Sequence, residues 1–199
     1  MRTVLPTHEI QEAIVGKLVM WNLMTLDGMF EGSQPWDLAF HEYAWNDELA
    51  RFSNEQIREV EAVVYGRRTY EGMADYWQSQ KGETADFMNS VPKYVFSRTL
   101  DRAGWANTTL LNEDAAEGLA RLKKEKDLFV FGSADLSATL IREGLYDEYR
   151  IGLVPITIGE GTPLFKKDSD SLRLDLVQTR PLGDRCLLLR YQPASTAAE

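Results

Sequence analysis

The feature of this 199-residue sequence that most limits its fold is the alternation of short apolar runs with helix-like segments. Apolar runs occur at Lys17–Thr25, Val63–Gly66, Lys93–Ser97 and Leu128–Gly132. Strands that are apolar on both sides are typical of parallel sheets covered by helices on both faces. Strand–helix–strand crossovers in such sheets are right-handed, so the pattern predicts a largely parallel sheet between two helical layers.

The C-terminal part of the sequence predicts a hairpin. Residues 172–179 and 185–192 are strand-like and flank the turn sequence RPLGD. With this hairpin, the segments add up to one mixed, mostly parallel sheet of about eight strands. The length favours a single domain. We assign it to residues 1–193, with an N-terminal arm at 1–16 and a flexible tail at 194–199.

Helix boundaries are predicted from capping patterns. Asn112 followed by two acidic residues predicts a helix over 112–127, and Ser133 and Gly144 are the predicted start and stop of the next helix. The polar segment Asn54–Ala62 also has helical spacing. The last predicted strand before the hairpin is long and covers 147–159.

Composition excludes several functional classes. The chain has 31 acidic and 22 basic residues, a net charge of −9, which argues against binding nucleic acid or a membrane surface. No apolar run approaches the roughly 18 residues of a membrane span. The single cysteine cannot form an internal disulfide, and no secretory signal is recognisable, so we expect a cytoplasmic protein. No cluster has the spacing of metal ligands, and we expect no metal.

Three predicted strands end in residues that suit phosphate binding. These ends are Gly66-Arg67-Arg68-Thr69, Ser97-Arg98 and Gly132-Ser133. Thr69 and Ser133 are interpreted as helix caps, and helix N-termini and arginines both bind phosphate. Because the carboxyl ends of parallel strands meet at one edge, the three ends together predict a ligand with several phosphates. Ordinary turn glycines and solvated arginines remain the alternative.

Two carboxylates are candidates for proton transfer. Asp27 follows the first strand, and Asp47 lies in a segment rich in aromatic residues. Each has a structural alternative: Asp27 as a turn residue before Gly28, and Asp47 as an acid at a helix start. We expect the substrate pocket to open between Asp27 and the aromatic stretch Trp36–Trp45. The aromatic side chains form either a wall for a flat heterocycle or part of the core or a dimer interface.

Four segments together resemble a known superfamily. GRRTYEGM, KYVFSRTL, VFGSADLSATLIREGLYDEYRI and VPITIGEGTPLF occur in this order. As a set they resemble the dihydrofolate reductase-like superfamily. The similarity is greatest to the C-terminal reductase domain of bacterial riboflavin-biosynthesis deaminase-reductases and its stand-alone relatives. The resemblance runs from Lys17 to Gln192.

The resemblance implies an NADPH-dependent reductase fold and a homodimer. Residues 66–69 would face the cofactor phosphates, and Ser97 and Arg98 the adenosine phosphate. Gly132, Ser133 and Ala134 would cradle the pyrophosphate. On the same basis we add Leu136 to the cofactor site. The expected substrate residues are Asn22, Trp36 and Trp45.

The expected activity is hydride transfer from NADPH to a small, heterocyclic substrate resembling a pterin or a flavin precursor. A nucleotide-binding or regulatory protein of the same fold, without reductase turnover, remains the alternative. A purely structural dimer is a third.

Overall fold

The computed structural model describes residues 16–166 and 171–195. The strands are β1 (Leu18–Thr25), β2 (Met29–Glu31), β3 (Ala62–Gly66), β4 (Lys93–Phe96), β5 (Thr108–Leu111), β6 (Leu128–Phe131), β7 (Glu148–Val154), β8 (Thr162–Pro163), β9 (Leu174–Pro181) and β10 (Leu187–Pro193). The helices are α1 (Ala39–Ala44), α2 (Asp47–Gln56), α3 (Arg67–Trp77), α4 (Glu83–Ser90), α5 (Ala115–Leu122) and α6 (Ala134–Arg142).

One mixed sheet of eight strands organises the fold, in the order β5-β4-β3-β6-β1-β7-β10-β9. The six strands from β5 to β7 are parallel to their neighbours. β10 is antiparallel to both β7 and β9, which confirms the predicted hairpin. β2 and β8 form a separate two-stranded sheet. The predicted fold class is therefore confirmed.

Helices pack on both faces of the sheet because side chains alternate along the strands. On one face, Leu119 of α5 and Leu140 of α6 pack against Met20 of β1. On the other face, α3 and α4 cover β3 and β4, and α1 and α2 cover the region around Leu23 of β1 and Leu188 of β10. The carboxyl ends of the parallel strands remain open between the layers, as expected for ligand binding in such sheets.

Several predicted boundaries were wrong because a nearby side chain caps the helix instead. Asp114, not Asn112, is the N-cap of α5, and its carboxylate accepts the N–H groups of Ala116 and Glu117. The helical segment predicted over Asn54–Ala62 lies earlier in the chain: α2 begins at Asp47, because Asn46 caps it, and ends at Gln56. Helix α4 was not predicted.

The long strand predicted over 147–159 was also too long. β7 ends at Val154 because Pro155 follows it, and proline has no N–H to donate to a strand ladder. Of the predicted arm, residues 1–15 lie outside the described residues, as do residues 196–199 of the predicted tail. Within the described part of the chain, no helix is both long and apolar enough to cross a membrane.

A buried network of charges joins α2 to the C-terminal half of the sheet. Glu148 Oε1 accepts hydrogen bonds from Arg150 Nε at 2.6 Å and from Arg190 Nε at 2.7 Å. Arg150 also donates to Glu59 at 2.6 Å and to Gln56 at 3.2 Å. Glu148 and Arg150 are each 4% exposed, so their charges depend on one another for solvation.

The Glu148 carboxylate carries a pH-dependent part of the stability. Burial by itself raises its pKa, but the hydrogen bonds and charges of Arg190 and Arg150 outweigh burial and lower the pKa below its ordinary 4.5. Because the folded pKa is lower than the unfolded one, this stabilisation is present above about pH 4.5 and is lost as the pH falls through the folded pKa.

We therefore expect Glu148→Gln to lower the free energy of unfolding at neutral pH by about 3 kcal/mol, since it leaves Arg150 buried without its counter-charge. The difference from wild type should shrink as the pH is lowered. Urea unfolding at several pH values measures both effects. Glu143→Gln removes an exposed ion pair with Arg142 and serves as the control, with an expected change below about 1 kcal/mol. Equal stability of Glu148→Gln and wild type at neutral pH would contradict the role of the network.

Candidate functional site

A cavity of about 660 Å³ lies at the carboxyl ends of β3, β4 and β6. Ten residues singled out from the sequence line it: Trp36, Gly66, Arg67, Arg68, Thr69, Ser97, Arg98, Ser133, Ala134 and Leu136. The three strand ends thus meet in one place, because β4, β3 and β6 are neighbours in the sheet. Gly132 directly follows β6 and precedes Ser133.

Two reciprocal hydrogen bonds tie the β3–α3 junction to the β6–α6 junction. The Ser133 hydroxyl accepts the N–H of Gly66 at 2.9 Å. In return, the Thr69 hydroxyl accepts the N–H of Ser133 at 3.0 Å. Ser133 is the N-cap residue of α6, as predicted, but its hydroxyl connects the two junctions and makes no capping bond. The predicted capping role of Thr69 was wrong, because Gly66 is the N-cap residue of α3 and Thr69 lies within that helix.

This arrangement leaves two helix N-termini without a capping side chain. Gly66 and Ser133 are the N-cap residues of α3 and α6, and neither makes a side-chain capping bond. The free N–H groups of a first helical turn, with the helix dipole, attract anions. Both N-termini border the same cavity, so it presents two anion-binding ends to one ligand.

The backbone at Gly132 and Ser133 is held in a left-handed conformation, with φ of 75° and 61°. Glycine is required at 132, since a Cβ there would lie 2.9 Å from Thr69 Cγ2 and 3.3 Å from Phe30 Cζ. The Gly132 N–H donates to Asn22 Oδ1 at 2.8 Å. Asn22 is 4% exposed, and its Nδ2 has no partner among the described residues. It therefore holds an unused donor beside the end of β6.

The three arginines that line the cavity differ in whether an acidic side chain is paired with them. Arg67 is paired with Glu71 at 3.0 Å and donates to the Thr99 hydroxyl at 2.9 Å. Arg68 approaches Glu31 at 3.7 Å. Arg98 is exposed and has no hydrogen bond or ion pair with any described residue. Its full charge is thus available to a ligand.

Asp27 holds a turn together and is not among the residues that line this cavity. Its carboxylate accepts the Thr25 hydroxyl and the N–H groups of Gly159 at 2.8 Å and Ile158 at 3.1 Å. The hydrogen bond from Thr25, followed by that from Gly159, lowers the pKa of Asp27 below its ordinary 3.8. A carboxylate bound in this way is suited to fixing a loop, and its predicted catalytic role stays a prediction.

Asp47 and Trp45 also lie outside the 660 Å³ cavity. Asp47 is exposed in the first turn of α2, which matches the structural alternative for it. Trp45 follows the last residue of α1 and is 55% exposed. Their predicted roles in catalysis and substrate binding remain predictions without support from the cavity geometry.

A second cavity, of about 380 Å³, lies beside the loop that Asp27 holds and the segment 32–40, and that it receives a substrate stays a prediction. It is lined by Ile158, whose N–H binds Asp27, and by Phe40 of α1. Gly32 and Asp37 form another side. The segment 32–38 contributes residues to both cavities. Among the described residues, no three His, Cys, Asp or Glu side chains group to hold a metal ion.

The larger cavity is also lined by three residues that were not predicted for the site, Phe30, Glu31 and Thr162. Glu31 and Thr162 face one another across the short β2–β8 pair. A strand of three residues has too little periodicity to be recognised, and its partner lies more than a hundred residues away. The Glu31 side chain is only 10% exposed, in contrast to Glu71 at 44%.

The sequence model of the RibD C-terminal domain matches residues 17–188, nearly the whole of the sheet and the cavity. The chain belongs to this family. Its similarity to the RibD C-terminal domain confirms the resemblance seen in the motifs. A curated relative is the uncharacterized protein YwjB of Bacillus subtilis (strain 168), 31% identical over 173 residues, which cover 84% of this chain and 92% of YwjB.

Solved structures show the same fold at low sequence identity. RibD of Acinetobacter baumannii superposes with a TM-score of 0.69 at 16% identity, over 91% of this chain and 59% of RibD. Dihydrofolate reductase of Enterococcus faecalis, described in complex with NADP(H), superposes with a TM-score of 0.58 at 17% identity, over 90% and 97% of the two chains. The RibD C-terminal domain fold is therefore shared with dihydrofolate reductase.

The geometry at Asp27 predicts a structural phenotype for Asp27→Asn. An amide N–H that faced the N–H groups of Ile158 and Gly159 would lose both of their bonds. If it faced the Thr25 hydroxyl instead, the hydroxyl proton would lose its acceptor and all remaining bonds would lose the carboxylate charge. We expect a lower midpoint of thermal unfolding, measured by circular dichroism. Asp47→Asn, which alters an exposed carboxylate, should leave the midpoint nearly unchanged. Identical midpoints for Asp27→Asn and wild type would contradict the loop-fixing role.

Proposed function

We propose that this member of the RibD C-terminal domain family is an NADPH-dependent reductase that transfers hydride to a small heterocyclic substrate. The observation that carries the proposal is the convergence of two uncapped helix N-termini and an unpaired arginine on one cavity. That combination suits a ligand with several phosphates, such as a phosphorylated dinucleotide. The reductase activity is supported by the family assignment.

The residues present fit NADPH. The first-turn N–H groups of α3 and α6, that of Ala134 among them, would hold the pyrophosphate, because no side chain caps either helix. Arg98, beside Ser97, would bind the 2′-phosphate. The unused Nδ2 donor of Asn22 suits a carbonyl oxygen of the bound ligands. The dihydronicotinamide ring supplies the hydride when bound, and the protein orients both partners.

The substrate would lie beside segment 32–38, between Trp36 and the second cavity. An aromatic wall and a few polar groups suit a flat heterocycle, such as a pterin or a flavin precursor. The net charge of −9 provides no long-range attraction for anions, so cofactor selection depends on local contacts.

A nucleotide-binding protein without turnover is the second candidate, favoured by one observation. Neither carboxylate proposed for proton transfer, Asp27 or Asp47, lines the larger cavity. Loss of NADPH absorbance with a panel of dihydropterins and aminopyrimidine flavin precursors distinguishes the two. Turnover of any of them supports the reductase, whereas tight NADPH binding without turnover supports the second candidate.

We also propose a homodimer formed through the C-terminal strands. β9 is an edge strand, and its Leu176 and Val177 are 58% and 53% exposed. Leu189 and Tyr191 of β10, on the face covered elsewhere by α5 and α6, are half-buried. A second copy of the chain would cover this apolar surface and the open edge by the same contacts on both subunits.

For the dimer we expect sedimentation at twice the monomer mass at micromolar concentration, since obligate homodimers commonly bury more than about 2,000 Å². Leu176→Lys should shift the equilibrium towards monomer. Asp175→Asn, which changes the net charge by the same amount at the neighbouring strand position, is the control. A wild-type protein that sediments as a monomer would overturn the proposal.

The electrostatic states of the arginines predict which one selects NADPH over NADH. Arg98→Ala should lower NADPH affinity by about 10- to 100-fold, because a charge-assisted arginine–phosphate contact contributes about 1.5–3 kcal/mol. NADH affinity should change little. Arg67→Ala and Arg68→Ala should have smaller effects, because these side chains already face Glu71 and Glu31.

The measurement is a titration of each variant with both cofactors at fixed ionic strength. Arg102→Ala, which removes an exposed arginine that does not line the cavity, controls for net charge. If wild type does not discriminate between NADPH and NADH, or if all three cavity variants bind NADPH as wild type does, the cofactor proposal is wrong.

A further inference from the structure

Trp36 stands in an unusual position in the wall of the larger cavity. Its backbone is left-handed, with φ of 66°, which is rare for a bulky residue. Its indole lies directly on the backbone of α3 at Gly72. A Cβ at Gly72 would come within 2.5 Å of Trp36 Cε3 and Cζ3. Such a conformation persists where the surroundings over-determine it.

Glu31 is one of the residues that hold Trp36 in this conformation. Its Oε1 accepts the backbone N–H of Trp36. Its Oε2 lies 3.4 Å from the Thr162 hydroxyl and 3.7 Å from Arg68 Nη2. With a side chain only 10% exposed, the carboxylate depends on these groups for solvation. One buried charge thus links β2, segment 32–38, β8 and α3.

Segment 32–38 also has local backbone hydrogen bonds. The Gly32 N–H donates to the Asp37 carbonyl at 2.9 Å, and the Asp37 N–H to the Gln34 carbonyl at 3.1 Å. These bonds shape the turn within the segment. The contacts of Trp36 with Glu31 and with Gly72 instead fix the turn against the rest of the cavity.

We propose that Glu31 and Gly72 are positioning residues that hold the Trp36 indole as the wall against which the substrate ring stacks. Glu31 fixes the backbone of Trp36, and the absent side chain at 72 makes room for the indole. The ligand part of this inference rests on the proposed reductase function. The positioning part is independent of any ligand, so the two parts fail separately.

A double-mutant cycle tests the positioning without a ligand. Gly72→Ala should lower the midpoint of thermal unfolding, because its Cβ must displace the indole. In the Trp36→Ala background the same substitution should raise the midpoint, because alanine is the better residue inside a helix. Gly104→Ala, at a site with no atom within 4 Å of the new Cβ, is the matched control. The same sign in both backgrounds would overturn the packing of Trp36 on Gly72.

Calorimetric titration of NADPH-saturated protein with lumazine and with biopterin tests the wall. Trp36→Ala and Gly72→Ala should each weaken binding of at least one probe about tenfold, as expected for loss of an aromatic stack. Trp36→Phe should retain most of the affinity, and Tyr76→Ala, at an exposed aromatic side chain that lines neither cavity, should match wild type. NADPH affinity should stay within about twofold throughout. Wild-type protein that binds NADPH and neither probe would overturn the wall, whereas failure to bind NADPH would overturn the proposed function.

Two substitutions at Glu31 separate its role from a general structural one. Glu31→Gln keeps a carbonyl oxygen for the Trp36 N–H and should bind the probes as wild type does. It also releases Arg68 from its counter-charge, so NADPH affinity should rise a few-fold. Glu31→Ala should weaken probe binding as much as Trp36→Ala does. Unchanged probe affinity in Glu31→Ala would overturn the positioning role of Glu31.

Discussion

The pair of hydrogen bonds between Gly66 and Ser133 and between Ser133 and Thr69 sets the geometry on which the site depends. The first bond joins residues 67 positions apart in the chain, and the second joins residues 64 positions apart. The pair thus connects two distant strand–helix junctions. α3 has no side-chain cap because its N-cap residue is Gly66, and α6 has none because the Ser133 hydroxyl binds Gly66 instead, so the N–H groups of both first turns remain free for a ligand. A local rule of helix capping is broken here, and such exceptions commonly occur at functional sites.

Ion pairs within the cavity determine its local charge, although the whole chain has a net negative charge. Glu71 and Glu31 reduce the effective charge of Arg67 and Arg68, while Arg98 keeps its own. Acidic residues therefore set which arginine can bind an anion strongly. The buried Glu148–Arg150 pair, by contrast, lies on the other half of the sheet and connects α2 with β7 and β10.

Much of the fold, and the meeting of the predicted strand ends in one cavity, followed from the sequence. Buried parallel strands are continuous apolar runs, and their carboxyl ends carried the glycines and arginines that meet in the cavity. Three other predicted site residues, Asp27, Asp47 and Trp45, lie outside that cavity. Asp27 and Trp45 had suitable chemistry, yet hydrogen bonding fixes the first in a turn and the second faces solvent. No sequence pattern identifies Glu31, because its role arises from contacts with Thr162, Arg68 and Trp36.

The sequence by itself determined the mixed sheet, the hairpin and the meeting of the three strand ends that carry the glycines and arginines, because these depend on local hydrophobic periodicity and strand direction. The tertiary structure decided which arginine is free, which hydroxyls join the junctions, and which carboxylate is buried. Those properties depend on distances between segments far apart in the chain. Glu31 meets Thr162 only through the β2–β8 pair, and Trp36 meets Gly72 only once segment 32–38 lies on α3.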